Sequence, residues 1–288
     1  MAIYKIGGFL REHVNTGILV LLILYTIFLF LPIIIIDLLR PLLFNLPIIW
    51  FLFIRFFIEV GFLILLWQII VPLGLKLPNG KQTFRQHSFS IGLTRVKPLW
   101  KNLIIGIGSF IILGFSALLI GEIFGNYIFI PEILIADYNW MILFVFMLIP
   151  GIWEEIAFRG VILNLQVRKY SKTTVILLNG ILFGLFHFIN ILFGQSFGQT
   201  LIQVISGSCI GISFAYMYIK TNSLLPSIIL HYLIDAVGSI FQTFVFPNSV
   251  NLVLFKILGF GVFPMILIVF FVFLLTREKV DLISRKVK

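Results

Sequence analysis

The chain has 288 residues, of which 60% are apolar and 11% are charged, and its formal net charge is +10. A soluble domain carries roughly a quarter charged residues, so this composition excludes a water-soluble protein. The positive charge then indicates membrane topology, and we expect a lipid-bilayer environment and no nucleic-acid partner.

Apolar segments long enough to cross a membrane recur along the whole chain. A spanning helix needs about 20 mostly apolar residues. The pattern predicts an all-α, polytopic membrane protein of about eight transmembrane helices. In chain order the predicted helices are Val14–Ile36, Leu46–Leu73, Leu99–Phe124, Trp140–Val167, Thr173–Phe193, Gln199–Ile219, Leu224–Phe246 and Leu252–Thr276.

The basic residues predict how these helices are oriented. Around the loop between the second and third helices there are several basic residues and no acidic one. They are Lys76, Lys81, Arg85, Arg95, Lys97 and Lys101. Cytoplasmic loops are enriched in lysine and arginine, so this loop is predicted to be cytoplasmic. Alternation then places the loop at 168–172, Lys220 and the basic tail on the same side, with Glu122, Glu132 and Asp137 opposite. We expect both termini in the cytoplasm and the protein in the cell membrane.

Two groups of ionisable residues fall inside predicted helices, where a charge costs at least about 2.5 to 3.5 kcal/mol and is a functional candidate by default. The first is Arg55 and Glu59 in the second helix. Their spacing of four places them on one helix face, where they can form a structural ion pair. A polar wall of a substrate cavity is the alternative for this pair.

The second group is spread over three predicted helices. It comprises Glu154, Glu155, Arg159, His187, His231 and Asp235. Glu155 and Arg159, like His231 and Asp235, are four residues apart and share a helix face. The adjacent glutamates point about 100° apart, so one carboxylate is expected to act on a substrate while the other holds Arg159. Pro150 and Gly151, one turn earlier, are expected to weaken the helix and open a water-filled notch.

Three short motifs in this group carry a family resemblance. Glu154-Glu155-Ile156-Ala157-Phe158-Arg159 resembles the EExxxR signature of the CAAX-protease and bacteriocin-processing (CPBP, or Abi) family. Phe183-Gly184-Leu185-Phe186-His187 resembles its FxxxH signature, and His231-Tyr232-Leu233-Ile234-Asp235 resembles its HxxxN or HxxxD signature. Asp235 stands where type II CAAX prenyl proteases mostly carry asparagine. Helices 1 to 3 and 8 match no motif.

The resemblance implies an intramembrane endopeptidase that opens toward the cytoplasmic half of the membrane. It implies that Glu154 and His187 activate water, that His231 and Asp235 face the oxyanion, and that Glu155 and Arg159 orient Glu154. Phe183 is expected to pack beside His187 without doing chemistry. His187, His231 and one glutamate could also bind a divalent metal such as zinc, and the sequence leaves metal dependence open.

The organisation and partners follow from the same resemblance. Residues 1–138 are assigned to helices 1 to 3 with the basic loop, 139–240 to the CAAX-protease-like core, and 241–288 to the last helix and the tail. The expected substrate is a peptide or protein with a membrane-associated tail, prenylated or not. A proton-coupled transporter and a catalytically idle scaffold are the rival functions, because carboxylates and histidines also line ion paths.

Other polar residues are assigned structural roles. Asn179, Asn190 and Gln203 are expected to form interhelical hydrogen bonds. Gly207 and Gly211 form a GxxxG spacing that is typical of close helix packing. His87 lies near a cytoplasmic segment and is expected to be solvated.

Overall fold

The computed structural model describes residues 12–43, 48–72, 84–125, 144–237 and 246–277. Within these ranges the chain folds into helices and contains no strand. This confirms the predicted all-α class. The N-terminal residues 1–11, the loop residues Lys76 and Lys81, the acidic residues Glu132 and Asp137, and the tail from residue 278 lie outside the described ranges.

The helices follow the predicted order, with one short addition between the second and third. They are α1 (Val14–Leu43), α2 (Ile48–Ile64), α3 (Phe84–Ser90), α4 (Leu99–Phe124), α5 (Leu148–Glu155), α6 (Leu163–Gln166), α7 (Lys172–Phe186), α8 (Phe197–Thr221), α9 (Leu225–Val237), α10 (Ser249–Ile257) and α11 (Phe263–Thr276). Four irregular helical stretches extend or join them: π-helices at Leu65–Ile70, Ile156–Ile162 and Leu258–Val262, and a 3₁₀-helix at His187–Phe193.

Six helical segments of the described chain are long and apolar enough to cross a membrane. They are Val14–Leu43, Trp50–Ile70, Leu99–Phe124, Lys172–Phe193, Phe197–Thr221 and Ser249–Thr276. The two remaining predicted spans appear as shorter described helices. Helix α5, the π-helix that follows it and α6 form a continuous helical segment that begins at Leu148. Helix α9 is apolar and ends at Val237, where the described range stops. The protein is therefore a polytopic membrane protein.

Helices α7 and α8 form the closest helix pair around the functional residues. A Cβ atom added to Gly184 would lie 2.4 Å from the carbonyl oxygen of Val204, and one added to Gly211 would lie 2.9 Å from that of Gly180. Glycine allows such backbone approach, which is how membrane helices pack tightly without a hydrophobic driving force. The packing role predicted for Gly211 is confirmed. Gly207 differs, because a Cβ there would meet the His187 ring at 3.6 Å, an ordinary contact.

The helix that carries the glutamates is irregular, but not where the sequence suggested. Pro150 lies in the first turn of α5, where a missing backbone N–H removes no hydrogen bond within that helix. The ladder instead changes to a π-helix immediately after Glu155, over Ile156–Ile162. Such π-bulges are frequent at functional sites. Gly151 brings α5 against α9, since a Cβ there would lie 3.2 Å from the backbone nitrogen of Tyr232.

Candidate active site

The six ionisable residues of the predicted site come from three helices and the π-helix beside them. Glu154 and Glu155 end α5, Arg159 lies in the following π-helix, His187 begins the 3₁₀-helix after α7, and His231 and Asp235 lie in α9. Side-chain contacts join five of these residues into one cluster: Glu154, Glu155, Arg159, His231 and Asp235. His187 lines the same cavity as His231 and Asp235.

Glu155 and Arg159 form a fully buried ion pair. Arg159 Nη1 donates to Glu155 Oε1 at 2.9 Å, and both side chains are 0% exposed. Arg159 Nη2 donates to the backbone oxygen of Gly211 at 3.0 Å, which ties α8 to the pair. A buried charge is tolerated when it is paired and hydrogen-bonded, so these contacts allow the pair to exist inside the bundle.

Glu155 also holds His231. The same Glu155 Oε1 lies 3.0 Å from His231 Nδ1. An ionised carboxylate only accepts hydrogen bonds, so Nδ1 carries a proton and donates it. The prediction that one of the two adjacent glutamates holds Arg159 is confirmed for Glu155. Glu155 contacts His231 directly, whereas the expected orientation of Glu154 by Glu155 and Arg159 has no contact among the described residues.

The other face of His231 meets the remaining two carboxylates. His231 Nε2 lies 3.7 Å from Glu154 Oε2 and 3.5 Å from Asp235 Oδ2. These separations are longer than a normal N–H···O hydrogen bond, which is about 2.7 to 3.2 Å. Glu154 is 20% exposed at its side chain, in contrast to the enclosed Glu155. Glu154 is therefore the glutamate with room to contact a water molecule.

His187 is oriented by its own helix. Its Nδ1 lies 2.9 Å from the backbone oxygen of Phe183. A carbonyl oxygen only accepts, so Nδ1 is the protonated nitrogen, and Nε2 of the neutral ring is the acceptor. The 3₁₀-helix begins at His187, which changes the direction of the chain at this point. A neutral imidazole with a free acceptor nitrogen is suited to take a proton from water.

Two phenylalanines support the cluster. The guanidinium carbon of Arg159 lies 4.3 Å from the ring centroid of Phe183 and 4.8 Å from that of Phe214. The His231 ring stacks on Phe214 at 5.2 Å, and Phe183 meets His187 edge-to-face at 5.0 Å. The predicted packing of Phe183 against His187 is confirmed. Rings over a desolvated arginine contribute a cation–π attraction as well as apolar surface.

The motif analysis missed Phe214 and Tyr25. Phe214 lies in α8, three residues after Gly211, and no signature marks it. Tyr25 comes from α1, and its ring packs against Trp153 at 6.0 Å and Phe186 at 4.7 Å. Glycine spacing in α8 was the one sequence signal that placed a helix beside Arg159. Nothing in the sequence linked Tyr25 to the site.

A cavity of about 630 Å³ adjoins the cluster. His187, His231 and Asp235 line one part of it, and its lining also includes Gln203 and the exposed Gln199 at the start of α8. This volume falls within the usual range of small-ligand sites. Most cavity-lining residues come from the end of α7, α8 as far as Phe214, the second half of α9 and the first half of the span Ser249–Thr276, so the cavity lies away from the basic loop at 168–172.

The two-histidine, one-carboxylate metal site considered from the sequence is not assembled in the described part of the chain. No three His, Cys, Asp or Glu side chains there are arranged to hold a metal ion. His231 Nδ1 contacts Glu155 and His187 Nδ1 contacts a backbone carbonyl, which leaves Nε2 of each ring as the nitrogen that could bind a metal. Side-chain movement would be needed to bring three ligands together.

Most of the structural assignments for other polar residues hold. Asn179 donates to the Phe158 oxygen at 2.9 Å, and Asn190 donates to Gln203 at 2.9 Å, as expected for interhelical contacts. Arg55 and Glu59 form an ion pair at 2.8 Å and do not line the cavity. This confirms the ion-pair interpretation over the cavity-wall alternative.

The expectation of a solvated His87 was wrong. His87 lies in α3, is buried, and its Nε2 contacts the backbone oxygen of Trp67 at 2.9 Å. Burial lowers the pKa of His87 because desolvation disfavours the charged ring. The short helix α3 packs against the π-helix Leu65–Ile70 that follows α2. The polarity of the sequence did not predict this tertiary contact.

Comparison with known proteins agrees with the motifs. The family model described as Rce1-like, type II CAAX prenyl endopeptidase, matches residues 136–237. This range contains all six residues of the candidate site, while helices α1 to α4 and α10 to α11 lie outside it. No curated protein and no solved structure matches the chain significantly. The match confirms the resemblance of the three motifs to the CAAX-protease family over residues 136–237.

Proposed function

We propose that this protein is an intramembrane endopeptidase of the CPBP (Abi) type that hydrolyses peptide bonds of membrane-associated substrates. One observation carries the proposal: His231 stands between a buried Glu155–Arg159 pair and the partly exposed carboxylates Glu154 and Asp235, at the wall of a cavity. A structural network has no need of exposed carboxylates beside a cavity, since each such group is costly in a membrane.

The first chemical step is activation of water. Glu154 has the exposure to contact water, and His187 offers Nε2 as an acceptor. Either group can take the proton as the water oxygen attacks the carbonyl carbon of the scissile bond. The proton then passes to the leaving amine, which separates as the carbon–nitrogen bond breaks. Glu154 and His187 are the catalytic residues for this step.

The second requirement is stabilisation of the tetrahedral oxyanion. His231 donates from Nδ1 to Glu155, and in the doubly protonated ring, which the three surrounding carboxylates favour, Nε2 can also donate to the developing negative oxygen. Arg159 neutralises Glu155 and positions it through Gly211. Asp235 lies 3.5 Å from the same Nε2 and would repel an oxyanion if it were ionised. We therefore assign Asp235 to orienting His231, or to donating as a protonated carboxyl.

Metal use stays open in this proposal. A bound divalent cation would act as a Lewis acid, and side-chain movement from the described arrangement would be needed to hold it. Assaying activity across zinc concentrations with and without chelator separates a metal-dependent from a metal-free reaction. The steps above need only the protein's own side chains.

Orientation decides the side from which substrate enters. With the basic loops in the cytoplasm, the cavity lies in the non-cytoplasmic half, because its lining comes from the opposite helix ends. The sequence-based expectations of cytoplasmic basic loops and a cytoplasmic opening therefore do not agree with each other. We propose cytoplasmic termini and entry from the opposite face. Membrane-impermeant labelling of cysteines introduced at Arg85 and at Gln199 tests this orientation. The cysteine at position 199 should be labelled from outside the cell. Labelling only at position 85 would mean that the orientation is the reverse.

Comparative terminal proteomics of membranes with the active protein and with Glu154→Ala tests the function itself. The matched control is Glu59→Ala, which removes an intramembrane carboxylate that lies away from the cavity. Peptide termini that disappear with Glu154→Ala and persist with Glu59→Ala support the peptidase. Solute flux without any cleaved product would instead support the transporter. The absence of both flux and cleavage would support the scaffold.

A further inference from the structure

A separate cavity lies between the start of α4 and the end of α11, and we call it the α4–α11 cavity. Its volume is about 490 Å³, and its lining consists of Trp100, Lys101, Ile104, Leu274, Leu275 and Arg277. None of these residues belongs to the candidate active site, and all of them lie outside the range that matches the family model. The proposed reaction therefore makes no use of this cavity.

Two cations line the α4–α11 cavity, and no acidic side chain of the described chain does so. Lys101 lies in the first turn of α4, and Arg277 directly follows the last residue of α11. No ion pair formed between described residues includes either cation. A cation in the first turn opposes the helix macrodipole, so helix stability does not explain Lys101. The lining of the cavity therefore carries uncompensated positive charge.

Each cation is accompanied by an apolar side chain one turn further into its membrane helix. Ile104 lies three residues after Lys101, and Leu274 lies three residues before Arg277, a spacing that places each pair on one helix face. Ile104 and Leu274 are 46% and 47% exposed. Both belong to segments long and apolar enough to cross a membrane. The cavity thus combines charge at the helix ends with apolar surface toward the membrane interior.

The two helices that form this cavity are in contact further along their length. A Cβ atom added to Gly108 of α4 would lie 2.7 Å from Cζ of Phe271 in α11, so that ring packs directly on the backbone of α4. Gly108 is seven residues, or about two turns, from Lys101. The cavity therefore lies at the end of a packed helix pair, and a ligand held by both cations would join the two helix ends.

We propose that the α4–α11 cavity binds an anionic glycerophospholipid, with its phosphate diester at Lys101 and Arg277 and its acyl chains along Ile104 and Leu274. Basic pockets between membrane helices bind anionic head groups. The ammonium group of a zwitterionic lipid would meet two cations and no acidic side chain among the described lining residues, so the charges favour a lipid with net negative charge. A soluble phosphate ion has the same charge but would leave the apolar side chains uncovered.

Native mass spectrometry of the purified full chain in detergent tests the proposal. Phosphatidylglycerol and phosphatidylcholine with the same acyl chains are titrated separately. The wild type is expected to bind phosphatidylglycerol about tenfold or more tightly than phosphatidylcholine. Lys101→Gln and Arg277→Gln should each weaken phosphatidylglycerol binding by about fivefold, and the double variant by about thirtyfold. Phosphatidylcholine binding should not change, and Lys101→Arg should retain the preference.

Lys220→Gln is the matched control, because Lys220 is also a cation at a helix end but does not line the α4–α11 cavity. Its Nζ instead lies 5.4 Å from the ring centroid of Tyr216 and 5.9 Å from that of Phe273. Phosphatidylglycerol binding by this variant should stay within about twofold of the wild type. An equal loss in Lys220→Gln would show attraction to general surface charge and would overturn the proposal, as would a wild type without preference for the anionic lipid.

Two further measurements separate the remaining outcomes. Inorganic phosphate at the same concentration should not displace phosphatidylglycerol, and displacement would assign the cavity to a soluble anion and overturn the lipid. Phosphatidylglycerol should raise the Tm of the wild type and not that of the double variant, since a ligand stabilises the state that binds it. An equal rise in both proteins would place the bound lipid elsewhere and would also overturn the proposal.

Discussion

The protein contains two arginine–glutamate pairs with the same spacing of four residues, and their surroundings differ completely. Arg55 and Glu59 lie 2.8 Å apart with side chains 44% and 15% exposed. Glu155 and Arg159 lie 2.9 Å apart with both side chains at 0%. Arg55 lies over one ring, whereas the buried pair contacts a carbonyl, a histidine and three rings.

A spacing of four residues therefore predicts that an ion pair forms, but not whether the pair belongs to a functional site. The less enclosed pair has few protein groups that hold its charges in one arrangement. Removal of one partner from a buried pair leaves an uncompensated charge in a low-dielectric interior. Polar partners beyond the pair therefore indicate which of the two belongs to a functional site.

The largest expected effect distinguishes the carboxylates and histidines of the candidate site from those elsewhere. Glu154→Ala, His187→Ala and His231→Ala should each lower peptide cleavage by about 10²-fold or more, because each removes a proposed acid, base or oxyanion donor. Membrane insertion should be retained, since removing a buried charge does not hinder it. Cleavage by Glu59→Ala should match the wild type. Loss of expression in all three of these site variants would show that the cluster has a structural role.

The second prediction compares the two arginines. Arg159→Met should destabilise the protein by about 3 to 5 kcal/mol because Glu155 is left buried without its cation. Arg55→Met should destabilise the protein less, because Glu59 is not enclosed by protein groups as Glu155 is. Thermal unfolding in detergent measures both, with cleavage assayed on the folded fraction. Equal destabilisation by the two substitutions would mean that the environments of the pairs do not differ as described.

Asp235 separates two mechanisms within the buried cluster. If it orients His231 or donates as a neutral acid, Asp235→Asn should keep or improve activity, because an amide cannot repel the oxyanion. If it supports a bound metal, activity should fall by about 10 to 100-fold and recover partly with added metal. Cleavage rates measured against zinc, with and without chelator, decide between them. Chelator-resistant wild-type activity with an active Asp235→Asn would exclude the metal role, and metal-rescued loss would exclude the direct oxyanion role.

The smallest expected effect concerns the ring beside each arginine. Phe183 lies 4.3 Å from the Arg159 guanidinium carbon, and Phe146 lies 5.8 Å from that of Arg55. Phe183→Leu should lower cleavage modestly, because His187 and Arg159 lose a ring contact but keep their hydrogen bonds. Phe146→Leu should leave it unchanged. Abolished activity in a folded Phe183→Leu protein would assign that ring a role beyond packing.

Much of the candidate site was predictable because its residues follow helical spacing within apolar segments. Residues four apart share a helix face, so the Glu155–Arg159 pair and the proximity of His231 to Asp235 followed from the chain alone. The divergence of Glu154 from Glu155 followed from the 100° rotation per residue. Contacts between helices were a different matter. The contact between Glu155 and His231 depends on the approach of α5 to α9 at Gly151. Residue spacing within one helix does not predict that approach.

The sequence by itself determined that this is an all-α membrane protein with ionisable residues grouped in three of its helices, because apolar length and helical periodicity are local properties. Tertiary structure alone decided which partners those residues have. Packing of α7 on α8 brought Phe214 and the Gly211 carbonyl to Arg159. The π-helix after α2 buried His87, and α10 placed Lys256 at the cavity. These contacts join residues far apart in the chain, and their geometry arises only when the helices pack together.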